Sequence, residues 1–482
     1  MSSSNITEFP IFLRAATNLL YLDLSNNRIY GQAPRWLGDM GRDSLYFLDL
    51  SHNLLQGSFP TLNFLRVQYI FVSNNKLTGE IPSLICNASS LVVLDLSHNN
   101  LSGMVPKCLV HSNVLSVLDL RMNSLHGTIP ETFSKGNHFS HINFNGNQLE
   151  GSLPRSLLNC KDLEVLDLGN NKINGVFPYW LESLQKLQVL VIQSNRFQGH
   201  IGNPKTKFPF PNLQIIDISN NQFNGPLPTN YFKYLKAMMS VDESEVALTY
   251  MGDSYYHDSL NVIIKGQDTK LVRILTVFTS IDFSNNRFTG EMPKIIGRLK
   301  SLKGLNFSHN NLTGYIPSSF GNLTNLEWLD LSFNKLIGEI PNQLADLPWL
   351  EVLKLSHNQL IGHIPTGNQF NTFNNDSYIE NLGLCGFPLS RTCNNHESKQ
   401  PPPSTLQEGD NLEPKNGFDW QTLLIDGLLI GYGCGVIYGT LMGYLMFKIG
   451  EPMWIVSRMV KLEQHIMPIR QRNNTHMRGR RK

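Results

Sequence analysis

One asparagine, returning at a fixed interval, limits what this chain can fold into more than any other feature. It stands at Asn27, Asn53, Asn75, Asn99, Asn123, Asn147, Asn171, Asn195 and Asn221, and again at Asn286, Asn310, Asn334 and Asn358. Most steps are 24 residues, with departures of two. Each copy carries the same surround, as in Leu91, Leu94, Leu96, Asn99, Leu101, Gly103, Val105 and Pro106. A unit of this size cannot bury its apolar face alone, so thirteen copies in near-constant register predict a stack of coils, each completed by its neighbours.

The spacing has a mechanical reading. Leucines at positions one, four and six point into a shared interior, and the Leu-x-Leu stretch forms one short parallel strand per coil. The Asn amide bonds backbone groups where the chain leaves that strand, and stacked copies make a ladder of satisfied amides. Gly and Pro set the return path. With strands about 4.8 Å apart, the stack forms a curved sheet roughly 60 Å long, and its concave face displays the variable residues between the leucines.

The period breaks once. Asn221 and Asn286 are 65 residues apart. The extra segment holds Tyr231, Phe232, Tyr255, Tyr256 and the alternating run from Leu260 to Gly266, which predicts an ordered island with at least one strand. Numbering coils by their Asn, the organisation is an N-terminal segment 1–18, coils 1–9 over 19–229, the island over 230–277, coils 10–13 over 278–366, a cap over 367–393, an acidic and Pro-rich linker over 394–419, a membrane helix over 420–447 and a tail over 448–482.

The membrane assignment rests on length and flanks. Residues 423–447 are apolar apart from Asp426, and Trp420 and Trp454 flank them. At about 1.5 Å per residue, the stretch beginning at Gly427 covers roughly 31 Å, enough to cross a bilayer once. The tail carries nine Lys/Arg against two Glu, which places it in the cytoplasm and the coils outside, a type I arrangement. Residues 1–18 lack both the apolar core of a secretory signal and a paired-cysteine cap, so the chain is expected to be truncated there. A formal net charge of +2 gives no reason to expect a nucleic-acid partner.

Within the span, Gly427, Gly431, Gly435, Gly439 and Gly443 recur every four residues. Each step drifts by about 40° around the helix, so the glycines follow an inclined ridge on which another helix can pack closely. This is the expected face for a membrane partner.

Catalytic chemistry finds no foothold. Asp95, Asp119, Asp167, Asp217, Asp282 and Asp330 share one slot of the repeat, and His52, His98, His309 and His357 share another. Residues repeated in register are template. His138 and His141 have no carboxylate or Cys at ligand spacing, and the short tail cannot hold a kinase domain. No enzyme, metal or cofactor is expected. The positions that depart from the template mark the candidate ligand surface: Tyr69 and Phe71 in coil 3, Arg121 and Met122 in coil 5, His141 and Asn143 in coil 6. Trp328 and Phe333 depart from it in coil 12. Aromatic and Arg residues on an exposed sheet face are enriched among interface anchors.

Two disulfides are expected. Cys385 and Cys393 would close the cap, while Cys86 and Cys108, 22 residues apart against a 24-residue period, stand nearly above one another on adjacent coils. Cys160 has no periodic partner and should be a buried thiol. Asn5, Asn87, Asn100, Asn306, Asn311, Asn322 and Asn375 each begin an Asn-x-Ser/Thr triplet and are glycosylation candidates, whereas Asn473 in the tail should stay bare.

These residues resemble a known family. The coil endings Gly79-Glu80-Ile81-Pro82 and Gly338-Glu339-Ile340-Pro341 are similar to the plant extracellular class of leucine-rich repeat. The island with Tyr255-Tyr256 and Lys265-Gly266, the Ile281-Asp282-Phe283-Ser284 that follows, and the cap from Asn381 to Leu389 resemble the plant receptor-like proteins. That group lacks a kinase and includes tomato receptors for fungal resistance. The resemblance implies a right-handed leucine-rich-repeat solenoid of α/β repeat class, with a parallel sheet on its concave face and a single transmembrane helix. It also implies an extracellular protein or peptide ligand and a receptor-kinase partner that supplies the missing enzyme. The last four coils would face that partner, with Trp328, Phe333, Lys354 and His357 as candidates. A developmental receptor, an inhibitory module for a cell-wall enzyme and a non-signalling remnant are the alternatives, and the glycine ridge weighs against a soluble inhibitor.

Overall fold

The computed structural model describes residues 1–393 apart from 39–43, 61–65, 240–249, 253–255, 258 and 266. The expected linker, membrane helix with its glycine ridge, and tail lie outside the described residues, among which no helix is long and apolar enough to cross a membrane.

Each Leu-x-Leu stretch forms a three-residue strand, from Tyr21–Asp23 in coil 1 to Val352–Lys354 in coil 13. Together they make a 13-stranded sheet, parallel throughout, in chain order. The register is strict: Leu94 stands beside Leu118 and Ile142 beside Leu166. Alternation along each strand turns the middle residue inward and the outer two onto the concave face. The strand of coil 9, Ile215–Asp217, pairs directly with that of coil 10, Ser280–Asp282. The island therefore leaves the stack without interrupting the sheet.

The asparagine ladder is complete. Asn99 Nδ2 donates to the carbonyls of Leu96 and Ser97 in its own coil and of Val72 in the previous one, at 3.2, 3.2 and 3.0 Å. Its Oδ1 accepts the Leu77 amide at 3.1 Å. Before each Asn the backbone turns through the left-handed region: His52, His98, His309 and His357 all have φ between 53° and 55° or at 51°. This conformation explains their shared slot, since Asn and His adopt it more readily than most residues. Met122 and Phe333 occupy the same slot at a φ of 53°.

Prolines open the convex side. Pro82, Pro154, Pro293 and Pro317 each precede a short 3-10 helix, where a fixed φ helps and no amide is missed. On the lateral side, short strands pair coil to coil and end on Gly383–Cys385 of the cap. The cap continues the ladder, because Asn381 donates to Leu355, Tyr378 and Ile379 carbonyls and accepts the Leu360 amide. At the other end, the Ser4 and Ile6 amides bond Asn27 Oδ1 at 2.9 Å each, so residues 1–6 already belong to the stack.

The insertion begins later than the period alone suggests. Tyr231, Phe232, Leu235 and Met238 are buried in the main core, and the Ser301 amide bonds the Met238 carbonyl. These residues complete the convex side of coil 9. Beyond them the described island contains two antiparallel strands, Leu260–Ile264 and Gln267–Leu271, joined through Lys265.

Candidate functional site

The island lies on the concave sheet and is fastened there by polar and apolar contacts. The Tyr256 hydroxyl donates to Asp119 Oδ2 at 2.9 Å. Arg121 pairs with the same carboxylate at 3.0 Å and donates to the Ser259 carbonyl at 2.6 Å. Burial pushes the Asp119 carboxyl up to about 7, with Arg121 opposing the shift. The Tyr256 ring packs among Phe47, Phe71, Val93 and Val117, and lies 6.0 Å from the His141 ring. Further along, Met251, Leu260 and Ile274 bury themselves against Val165, Val189, Val191 and Ile215. Gln214 Nε2 donates to the Thr276 carbonyl at 2.6 Å, which fixes the point of return.

At its far side the island reaches the last coils. The Phe278 ring stacks on Trp328 at 6.0 Å, and the Lys265 ammonium pairs with Glu351 of coil 13. The polar contacts of the island thus run from Asp119 and Arg121 of coil 5 to Glu351 of coil 13. Toward the N-terminal end of the same face the rings of Tyr46 and Tyr69 are 5.3 Å apart. At the C-terminal end Phe333 is stacked between the rings of His309 and His357, at 4.1 and 3.9 Å.

This arrangement redistributes the expected ligand surface. Phe71, His141 and Asn143 are buried, with Tyr256 of the island packed against Phe71 and His141, and Arg121 is spent on Asp119 and Ser259. Arg121 and His141 meet the island, Asn143 accepts the Asn145 amide of its own coil, and Tyr69 is half-buried and Met122 exposed. Of the partner candidates, Trp328 is buried, whereas Phe333 is exposed and Lys354 is half-exposed at 3.9 Å from Asp330. Sequence gave no signal for Phe278, Glu351 or the special role of Asp119, which sits in the same slot as Asp95 and Asp167 and differs only in what lies above it.

The covalent features are equally plain. Cys86 is bonded to Cys108 and Cys385 to Cys393, with Cα atoms 5.8 and 5.2 Å apart, while Cys160 is free and buried. Burial pushes the Cys160 thiol up to about 12, which makes it inert. Asn5, Asn87, Asn100, Asn322 and Asn375 are exposed and Asn311 is half-buried. Asn306 is corrected as a glycosylation candidate: it lies buried on a concave strand, its Nδ2 donating to Asp282 Oδ2 at 2.9 Å and its Oδ1 accepting from Ser308. Among the described residues no group of three or more His, Cys, Asp or Glu side chains is placed to hold a metal ion.

The profile described as Leucine rich repeat matches residues 65–125, 153–197, 278–336 and 318–360, and a second of the same description matches 18–40 and 212–233. Receptor-like protein 53 of Arabidopsis thaliana is 44% identical over 461 residues, 95% of this chain and 47% of that protein. The chain spans about half the length of the curated relatives it matches along nearly its whole length. Among solved structures, PEPR1 bound to AtPEP1 superposes with a TM-score of 0.63 at 28% identity, over 76% of this chain and 45% of that one. The Arabidopsis receptor kinase HAESA, in complex with the peptide hormone IDA and the co-receptor SERK1, gives 0.59 at 26% identity, over 82% and 67%. With its unbroken repeat ladder, its island and its cap, the chain belongs to the plant leucine-rich-repeat receptor-like proteins.

Proposed function

We propose that this chain is the recognition component of a plant cell-surface receptor, acting in defence. The solenoid binds an extracellular protein or peptide, and a separate receptor kinase carries the signal inward. The observation behind this reading is the island clamped onto the concave sheet, with Tyr46 exposed toward one end of that face and Phe333 toward the other. HAESA, of similar fold, is described with both a peptide hormone and a co-receptor, and a comparable division of labour fits here. Ligand contact is assigned to Tyr69 and Met122, with Arg121 and His141 acting through the island they meet and Phe71 and Asn143 placed on the same concave face. Partner contact is assigned to Phe333, Lys354 and His357, with Trp328 supporting the surface from beneath Phe278. The chain is placed in the cell membrane by one span, with its tail inside.

The membrane arm of this reading is tested at the glycine ridge. A helix that only anchors needs hydrophobic length, and Leu supplies that as well as Gly does. A helix that recruits a kinase needs a flat face. The triple variant Gly431→Leu, Gly435→Leu, Gly439→Leu is expected to reach the surface and lose co-purification with its kinase. Interhelical contacts are worth about 1–2 kcal/mol each, so three changes are used rather than one. Undiminished kinase recovery would mean that the ridge recruits nothing.

A further inference from the structure

The convex backs of coils 8, 9 and 10 form one continuous surface. The Ala237 amide bonds the Pro211 carbonyl at 3.3 Å, and the Ser301 amide bonds that of Met238 at 3.0 Å. Asn230 Nδ2 donates to Asn203 Oδ1 at 2.7 Å across the first of these joins. Lys205 and Lys207 of coil 8, Lys233 and Lys236 of coil 9, and Arg298 and Lys300 of coil 10 all stand exposed there. None of the six is in an ion pair among the described residues. From His200 to Met239 the one acidic residue is Asp217, buried on the opposite, concave side, and from Lys294 to Leu302 there is none. Asp242, Glu243 and Glu245 follow in sequence and lie outside the described residues.

Two further observations set this face apart. The Lys236 and Lys207 ammoniums lie 4.7 and 5.3 Å from the centre of the exposed Phe208 ring, so one aromatic post draws together two cations that would otherwise repel. The post is fixed from below, because buried Glu182 accepts the Lys205 and Thr206 amides and Phe210 is buried in the core. The other observation is covalent. No Asn-x-Ser/Thr triplet begins between Asn100 and Asn306, and Asn306 is itself buried. The next exposed candidate, Asn322, ends the 3-10 helix of coil 11 and so borders the face without lying on it. A cationic surface that carries no attached sugar is left open to a partner.

We infer that this convex face binds an acidic polysaccharide, a chain of sugar rings bearing carboxylates, laid across coils 8 to 10. Curvature chooses the occupant. A rigid folded protein meets a convex ridge over a small area, short of the roughly 800 Å² per partner of a stable interface. A flexible polyanion follows the ridge and meets cations on each coil in turn. Each exposed contact is worth little alone, so the strength comes from their number and is screened by salt. Placement of the face outside the cell rests on the receptor reading, to which the polysaccharide adds an attachment that leaves the concave side free for its ligand.

The full chain, expressed behind a secretion signal and solubilised in detergent, is titrated with a fluorescent oligogalacturonate and with its methyl-ester twin, which keeps the sugar rings and removes the charge. The acid form is expected to bind about tenfold more tightly and to lose that margin as salt is raised. Because the tail is basic too, two neutralised variants are compared. Lys205→Gln with Lys207→Gln, Lys233→Gln and Lys236→Gln removes four charges from the face, and Arg478→Gln with Arg480→Gln, Arg481→Gln and Lys482→Gln removes four from the tail. The first is expected to weaken binding about tenfold and the second by less than about twofold. Equal losses in the two overturn the assignment, since net charge alone would then be responsible, and so does equal binding of acid and ester. A single-stranded DNA of matched charge that binds as tightly through the same four lysines overturns the carbohydrate as occupant. The face variant keeps the glycine ridge, so its kinase recovery is expected to be unchanged. Absent polysaccharide binding with kinase recovery intact sinks this inference alone, and absence of both sinks the receptor reading with it.

Discussion

Glu182, only 1% exposed, accepts the Lys205 and Thr206 amides on Oε1 at 2.5 and 2.6 Å and the Tyr231 hydroxyl on Oε2 at 2.8 Å. It therefore holds the irregular segment after coil 8 to the convex side of coil 9, a task no repeat position describes. Removing it leaves the buried Tyr231 hydroxyl and two part-buried amides without this partner. Glu182→Ala is expected to cost about 3 kcal/mol in urea unfolding, since each stranded donor carries a desolvation penalty. Glu182→Gln keeps an oxygen for the two amides and can donate to the tyrosine oxygen, so it should cost about 1 kcal/mol. Equal losses for the two variants would show that the negative charge, and not the hydrogen-bond pattern, holds the segment.

At the scale of elements, the island and the sheet beneath it are separable, because coil 9 pairs with coil 10 as if nothing intervened. Tyr256→Phe removes one hydrogen bond to a buried carboxylate and leaves the ring in place. Amides of Leu260–Ile264 and Gln267–Leu271 are expected to exchange about tenfold faster in the variant, with the Ile215–Asp217 strand unchanged. Acceleration of both together would show that the island is integral to the stack. The same separation explains what could be read beforehand. The coils were legible because every one repeats the same solution, down to the His slot, whose left-handed backbone the His residues announce. The cap's ladder position was less so, since Asn381 follows Asn358 by 23 residues in a segment that otherwise departs from the pattern. The docking of the island was not legible at all. Its partners Asp119, Arg121 and His141 are fixed by which coil the island reaches, a three-dimensional fact, and two of the template departures, Arg121 and His141, are among them.

For the molecule as a whole, the register that builds the sheet also stacks carboxyls in a buried row, and this sets a pH dependence. Burial raises Asp119 to about 7 and Asp282 to about 6, and it also raises Asp167 and Asp217, the latter with help from the nearby charge of Asp282. A carboxyl whose folded value exceeds its unfolded one binds more protons when folded. Its contribution is therefore present at low pH and is lost as the pH rises through about 6 to 7. His98 works the other way. Burial, and then Arg121, lower it to about 4, so stability falls as the pH drops from about 6.5 toward that value. Asp49 is raised as well, and among the described residues only His98 and the half-exposed Asp162 are shifted the opposite way, so stability is expected to be greater on the acid side of neutrality. The melting temperature is expected to rise on the order of 2 °C between about pH 8 and about pH 6, measured by scanning fluorimetry at fixed ionic strength. Asp119→Asn should flatten that rise, because an amide keeps an acceptor for Tyr256 and cannot take up the proton. A melting temperature that climbs from about pH 6 to pH 8 instead would mean the row is ionised throughout, with Arg121 outweighing burial at Asp119.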